Sequence, residues 1–110
     1  MNSLALLTDL YELTMAYGYW KCGMADMEAV FHLFFRKRPF NGGLAITAGL
    51  QTAIEFIENF RYEASDLEYL NSLGLFDSKF LDYLSTFSLK TDIDAVPEGT
   101  PVFPYEPLLR

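Results

Sequence analysis

The chain has 110 residues, of which 51% are hydrophobic and 16% aromatic, and its formal net charge at pH 7 is −7. This length corresponds to one modest domain, and the apolar content excludes an intrinsically disordered chain. The acidic balance argues against a general nucleic-acid-binding surface. The single cysteine, Cys22, excludes an internal disulfide. Neither a bilayer-spanning apolar run nor a secretory signal is recognisable, so we expect a cytoplasmic protein without nucleic-acid or membrane partners.

The first predicted element is a helix from about Thr8 to Gly23. Thr8 is taken as its N-cap, and Asp9 places negative charge in the first turn, where the helix dipole favours it. Apolar residues three and four positions apart form a core-facing stripe, which consists of Leu6, Leu10, Leu13, Tyr17 and Trp20. A second line on another face consists of Tyr11, Met15, Gly18 and Cys22. Either both faces are simply buried, the second at a subunit contact, or the ring of Tyr11 contacts a ligand.

The next element is a predicted strand over Met27–Arg38, because apolar residues alternate along it. The residues expected to face the core are Ala29, Phe31, Leu33 and Phe35. Pro39 ends the strand, and Asn41-Gly42-Gly43 supplies residues that tolerate a positive φ. The short apolar stretch that follows, residues 44–48, is predicted to return as the second strand of a hairpin.

Three features of this region resemble parts of binding or catalytic sites, and each also has a simpler structural explanation. His32 has no second metal ligand at a suitable spacing, so we interpret it as a hydrogen-bonded structural residue. The basic run Arg36-Lys37-Arg38 is interpreted as a solvated strand end. The Gly42-Gly43 turn lacks the surrounding residues of a phosphate-binding motif.

Three further helices are predicted from apolar spacing and capping residues. The first covers Leu50–Phe60, and the second opens at a capping box formed by Ser65 and Glu68 and closes at Gly74. Asp77 caps the third. The buried stripe of this last helix is predicted to consist of Phe80, Leu81, Leu84 and Phe87.

The remainder of the chain is predicted to be extended, over residues 89–96 and again at Val102-Phe103. Asp92 and Asp94 lie on one strand face, but two carboxylates without a third ligand predict a solvated face rather than a metal site. Ten Phe and seven Tyr are more aromatic surface than one small domain hides. Because the final apolar run stops at Arg110 without a polar tail, we expect the chain to be truncated.

Four segments together resemble the nicotinate phosphoribosyltransferases, in the order and spacing of that family. They are LLTDLYELTMAYGYW at 6–20, FHLFFRKRPFNGGLAITAGL at 31–50, FLDYL at 80–84 and AVPEGTPVFPYEPLL at 95–109. The resemblance implies an α+β fold: the N-terminal domain of a type II phosphoribosyltransferase, with helices packed on a small, mostly antiparallel sheet. It also implies that the chain, residues 1–110, stops before the α/β barrel that holds the family's catalytic site.

The resemblance further implies a function in the salvage route to NAD. Members of the family are cytoplasmic homodimeric ligases of pyridine nucleotide biosynthesis, which form nicotinate mononucleotide from nicotinate and phosphoribosyl pyrophosphate. They use Mg²⁺, and ATP acts through a phosphorylated histidine. The 110-residue chain alone is expected to be inactive and to supply scaffold, dimer interface and one nicotinate contact.

Two residues of this sequence match the family's site-forming TDLY motif. Tyr11 matches the tyrosine whose ring contacts nicotinate in the site of the neighbouring subunit. Asp9 matches the aspartate of the same motif, so it is the second candidate substrate-binding residue, and it is expected to support the helix start and the interface. His32 does not match the phosphorylated histidine, and the resemblance implies no catalytic residue and no metal ligand in this chain. The alternatives are a nicotinamide or quinolinate phosphoribosyltransferase fragment, or a non-catalytic domain that dimerises through its first helix.

Overall fold

The computed structural model describes residues 3–110, which divide into two compact units. The first unit contains the chain up to Glu28 together with Glu58–Leu89, and the second contains Ala29–Ile57 and Lys90–Arg110. The helices are α1 (Leu10–Lys21), α2 (Leu50–Asn59), α3 (Ala64–Ser72) and α4 (Ser78–Ser85), and the strands are β1 (Ala45–Ile46) and β2 (Pro101–Val102). The combination of helices with a small antiparallel sheet confirms the predicted α+β class.

Helix α1 begins later than predicted, because Asp9 and not Thr8 is its N-cap. The Asp9 backbone is extended, with φ −75° and ψ 143°, and its carbonyl oxygen accepts a hydrogen bond from the Glu12 amide. The Thr8 hydroxyl donates to the Glu12 carboxylate instead of capping the helix. At the other end Gly23 has φ +71°, a value that favours glycine, and the helix stops where it was predicted to stop.

The core of the first unit lies between α1, α3 and α4. Leu70 and Phe80 are almost completely buried, and Leu13, the central residue of the predicted α1 stripe, packs with them. Tyr17 and Trp20 of the same stripe pack against this cluster and stay half-buried. Leu6, before the helix, also packs against the cluster, so four members of the stripe are confirmed, and Leu10, in the first turn, is 48% exposed.

Aromatic rings make up much of this core. The centroid of the Phe80 ring lies 5.0 Å from Tyr17, 5.5 Å from Trp20, 5.6 Å from Phe76 and 6.2 Å from Tyr83. Such pairs contribute about 0.5–1.5 kcal/mol each beyond the burial of their area. The helix-period pattern of α4 thus places Phe80, in its first turn, in the middle of an aromatic cluster.

The capping of the two short helices is partly as predicted. The prediction of a capping box at Ser65 and Glu68 is wrong, because the backbone is still extended at Glu63 and the box forms between Glu63 and Asp66. The Glu63 amide donates to Asp66 Oδ2 at 2.9 Å. The predicted N-cap of α4 is confirmed, because Asp77 Oδ1 accepts a hydrogen bond from the Phe80 amide at 3.2 Å.

The second unit contains less regular structure than the alternating pattern predicted. Over Met27–Arg38 no continuous strand forms, and Leu33 makes an isolated antiparallel bridge to Leu109. Phe31, predicted to face a core, is 80% exposed. An alternation of apolar and polar residues indicates that the two faces of a segment differ, but it does not indicate which other segment pairs with it. The prediction of a strand at 27–38 with buried odd-numbered residues is therefore wrong for this chain.

The predicted hairpin is also wrong, because β1 has a different partner. Ala45 pairs with Val102 and Ile46 with Pro101, in antiparallel register. Residues 89–96 likewise form no regular strand, and Ala95 makes an isolated bridge to Leu109. The segment at 108–110 consequently lies between residues 94–96 on one side and Leu33 on the other, joined by backbone hydrogen bonds of 2.7–3.1 Å.

The turn after Pro39 places one of its two positive φ angles on an unexpected residue, Phe40. Phe40 and Asn41 both have φ +55°, whereas Gly42 is extended with φ −72°. An asparagine tolerates this conformation, but a phenylalanine is strained in it by about 1–2 kcal/mol. The turn itself is confirmed, and the glycines are not the residues that make it.

Candidate functional site

Tyr11 lies in the first turn of α1 and its side chain is 60% exposed. Met15, one turn further along the same line, is 49% exposed, and Gly18 and Cys22 are exposed as well. The opposite side of the helix contributes Leu13 to the core. Within this chain, therefore, the second apolar line of α1 is a surface and not a second core face.

Asp9 lies two residues before Tyr11, at the N-cap of the same helix, and is exposed. Its side chain makes no capping hydrogen bond. A carboxylate at this end of a helix interacts favourably with the positive end of the helix dipole. The structure thus places both predicted site residues together at the exposed start of α1.

A polar cluster that the sequence analysis missed joins the last turns of α1 to the start of α4. The Tyr17 hydroxyl donates to Asp77 Oδ2 at 2.9 Å, and Lys21 Nζ lies 3.6 Å from the same oxygen. Lys21 Nζ is also 4.9 Å from the centroid of the Tyr17 ring, within the range of a cation–π contact. We call Tyr17, Lys21 and Asp77 the α1–α4 clamp.

Contacts within this clamp shift the pKa values of Asp77 and Lys21. Partial burial acts to raise the pKa of Asp77, but the hydrogen bonds from the Tyr17 hydroxyl and the Phe80 amide and the charge of Lys21 outweigh it and lower that pKa. The pKa of Lys21 is raised by the Tyr17 hydroxyl and by the Asp77 carboxylate. Both groups therefore stay charged over a wider pH range than they would in an unfolded chain.

Elsewhere in the first unit, Tyr62 is a half-buried titratable residue. Burial, with the charge of Asp66, raises the pKa of its hydroxyl. The ring of Tyr62 packs edge-on against Phe60 with the centroids 5.5 Å apart. These contacts are those of a core residue that keeps its proton, and they give Tyr62 no role in proton transfer near neutral pH.

His32 lines a groove of about 260 Å³ in the second unit, together with Asp94, Arg110 and apolar side chains. Asp94 is bound there by Arg110, with 2.6 Å between Oδ2 and the guanidinium nitrogen. In residues 3–110, no three His, Cys, Asp or Glu side chains come together as a metal site. The groove contains an ion pair beside one histidine, which is not by itself a catalytic arrangement.

The basic run at residues 36–38 is exposed, as expected for solvated side chains. Among the helices that the structure describes, none is long and apolar enough to cross a bilayer.

Comparison with known proteins identifies the relatives of this chain. A family model described as the nicotinate phosphoribosyltransferase (NAPRTase) N-terminal domain matches residues 6–110. Nicotinate phosphoribosyltransferase pncB2 of Mycobacterium tuberculosis is 46% identical over 106 residues, which cover 96% of this chain and 23% of that protein. Nicotinate phosphoribosyltransferase of Bacillus subtilis is 43% identical over 109 residues, which cover 99% of this chain and 22% of that protein.

The fold has a counterpart among solved structures. The crystal structure of human nicotinic acid phosphoribosyltransferase superposes with a TM-score of 0.81 and 41% sequence identity, over 93% of this chain and 21% of the human chain. The chain thus spans less than a quarter of the length of the relatives it matches. Sequence and structure agree with the resemblance found in the TDLY and following segments, and the chain belongs to the nicotinate phosphoribosyltransferase family, whose N-terminal domain it matches.

Proposed function

We propose that this chain is the N-terminal part of an enzyme that forms nicotinate mononucleotide from nicotinate and phosphoribosyl pyrophosphate, with hydrolysis of ATP, in the salvage route to NAD. The observation that supports this most directly is the match to the family's N-terminal domain over residues 6–110. The enzyme is proposed to be a cytoplasmic homodimeric ligase, in which this chain supplies scaffold, dimer interface and one substrate contact.

The proposed substrate contact is Tyr11. Its ring is 60% exposed on the side of α1 that faces away from the core, so it is available to a ligand held by the neighbouring subunit. The pyridine ring of nicotinate is electron-poor, and stacking on the electron-rich face of a tyrosine orients it. Asp9 is proposed to stabilise the start of the helix on which that ring stands.

The proposed chemistry is attack of the pyridine nitrogen on ribose C1 while pyrophosphate leaves. Holding the pyridine ring so that its nitrogen points at C1 lowers the entropic part of the barrier. The role of Tyr11 is to orient the pyridine ring, and it transfers no proton. Because residues 3–110 contain no group of metal-ligating side chains, we assign no step to Mg²⁺ or ATP through this chain.

The test is a steady-state assay of nicotinate mononucleotide formation by the complete protein that carries this chain. Tyr11→Ala is expected to raise KM for nicotinate about threefold to tenfold, which corresponds to about 0.7–1.4 kcal/mol and lies within the range for one aromatic contact. KM for phosphoribosyl pyrophosphate is expected to change by less than about twofold, since the stack contacts only the pyridine.

The matched control is Tyr69→Ala, which removes a similarly exposed tyrosine, 57% exposed, from α3. This variant is expected to leave both KM values unchanged. If Tyr11→Ala left nicotinate kinetics unchanged, the role of Tyr11 would be refuted. If nicotinamide or quinolinate replaced nicotinate as the better substrate of the wild-type protein, the proposed reaction would be wrong.

A further inference from the structure

We propose that Tyr17 and Asp77 are positioning residues for Tyr11, and that the α1–α4 clamp sets the rotation of α1 and hence the direction in which the Tyr11 ring points. This inference rests on the proposed function, because it concerns the same nicotinate contact. The observation behind it is the hydrogen bond of 2.9 Å between the Tyr17 hydroxyl and Asp77 Oδ2, which links residues 60 positions apart.

Apolar packing alone does not define the rotation of α1 sharply. The helix contributes one buried side chain, Leu13, to the core, and its Tyr17 and Trp20 are half-buried. Burial of apolar area is non-directional, so a small rotation changes its free energy little. A hydrogen bond weakens steeply when its angle departs from linear. The Tyr17–Asp77 bond is therefore a directional restraint on this helix, in addition to the ring contacts of Tyr17 and Trp20 with Phe80.

The acceptor of that bond is itself held in place. Asp77 is the N-cap of α4, and its other carboxylate oxygen, Oδ1, accepts from the Phe80 amide at 3.2 Å. Phe80 in turn is completely buried. Lys21 Nζ approaches Oδ2 from α1, one turn beyond Tyr17. The clamp thus ties the rotation of α1 to the most buried residue of the first unit.

A small rotation of α1 has a large effect at Tyr11. Tyr11 precedes Tyr17 by six positions, which places it about 9 Å along the axis and about 120° around it. Side chains extend to roughly 5–6 Å from a helix axis, so a rotation of about 20° moves the Tyr11 ring by about 2 Å. A displacement of this size is enough to break a stacking contact, so the loss is bounded by the effect of removing the Tyr11 ring itself.

The first test is Tyr17→Phe in the complete protein, which removes the hydroxyl and keeps the ring in its aromatic cluster. KM for nicotinate is expected to rise about threefold to tenfold while KM for phosphoribosyl pyrophosphate stays within about twofold. Tyr69→Phe, which removes a hydroxyl from an exposed tyrosine of α3, is the matched control and is expected to change neither. An unchanged KM for nicotinate in Tyr17→Phe would overturn the proposal.

The second test separates positioning from general destabilisation by a double-mutant cycle. If Tyr17 acts through Tyr11, then Tyr17→Phe is expected to have no further effect on nicotinate KM once Tyr11 is replaced by Ala. An equal rise in both backgrounds would overturn the proposal and would leave the proposed function intact. Failure of the proposed function would be visible separately, because Tyr11→Ala alone would then leave nicotinate KM unchanged.

A variant on the partner helix checks the same bond from its other end. Asp77→Ser keeps an N-cap side chain for α4 but is too short to reach the Tyr17 hydroxyl. It is expected to reproduce the KM changes of Tyr17→Phe, with no additional change when the two are combined. Thermal unfolding is recorded for each variant, and a folded Asp77→Ser protein with wild-type nicotinate KM would also overturn the proposal.

Discussion

Replacing Phe80 by alanine is the sharpest test of the packing that holds α1 and α4 together. The Phe80 side chain is 0% exposed, and its ring centroid lies between 5.0 and 6.2 Å from those of Tyr17, Trp20, Phe76 and Tyr83. Burial of a phenylalanine side chain stabilises the folded state by about 1.5–3 kcal/mol, and this contribution is lost in the variant. The cavity left among the four rings destabilises the folded state further. We therefore expect Phe80→Ala to lower the free energy of unfolding by about 3–5 kcal/mol.

The measurement is urea unfolding of the 110-residue chain, monitored by circular dichroism and by fluorescence. Trp20 is the only tryptophan of the chain and its ring packs directly on Phe80, so its emission reports on this cluster. The wild-type chain is expected to unfold cooperatively, and Phe80→Ala to lower the transition midpoint with little change in slope.

Phe31→Ala serves as the control, because it removes the same side chain from a position that is 80% exposed. Its expected effect is below about 0.5 kcal/mol. If the two substitutions had equal effects, or if Phe80→Ala cost less than about 1 kcal/mol, the aromatic cluster would not be the core of this unit and the reasoning on burial would be refuted.

Three further predictions concern charge, capping and activity. The hydrogen bonds from Tyr17 and the Phe80 amide, with the charge of Lys21, lower the pKa of Asp77 below its ordinary 3.8. The stability that this carboxylate contributes is therefore present above that value and is lost as the pH falls through the folded-state pKa. Asp77→Asn is expected to reduce the loss of thermal stability in acid, and an unchanged acid profile would contradict the role of these contacts. Asp66→Ala breaks the capping box of α3 and is expected to lower the free energy of unfolding by about 1 kcal/mol. Glu68→Ala removes the residue that the sequence assigned to the box and is expected to lower it by less than about 0.5 kcal/mol. Equal effects of the two substitutions would contradict the box between Glu63 and Asp66. The isolated 110-residue chain is expected to form no nicotinate mononucleotide, and detectable turnover would show that residues 1–110 contain catalytic groups.

The helices were predictable because the signals that define them are local. The three- and four-residue spacing in α1 and α4 and the capping carboxylate of Asp77 act within a few residues of the chain. Their ends were less predictable, because several neighbouring residues compete to cap one helix. Thr8 and Ser65 are residue types that often cap helices. In the structure, however, the last extended residues before α1 and α3 are Asp9 and Glu63, so these two are the N-caps.

The positions of the two strands were predictable, since β1 lies within residues 44–48 and β2 includes Val102. Their pairing was not predictable, because it joins residues far apart along the chain. The alternation at residues 27–38 predicted a regular strand, and the structure has a single bridge there, from Leu33 to Leu109. In the same way β1 pairs with β2, more than 50 residues away, and not with the preceding segment. No short-range pattern specifies which edge such a segment meets.

At the candidate site, sequence by itself determined that α1 has a second apolar line, and the family motif singled out Tyr11 and Asp9 on it. Only the tertiary structure decided that this line is exposed in the chain, since burial depends on which elements pack against a helix. Only the tertiary structure brought Tyr17 and Lys21 to Asp77, because the fold, and no local spacing, places residues 60 positions apart within hydrogen-bonding distance.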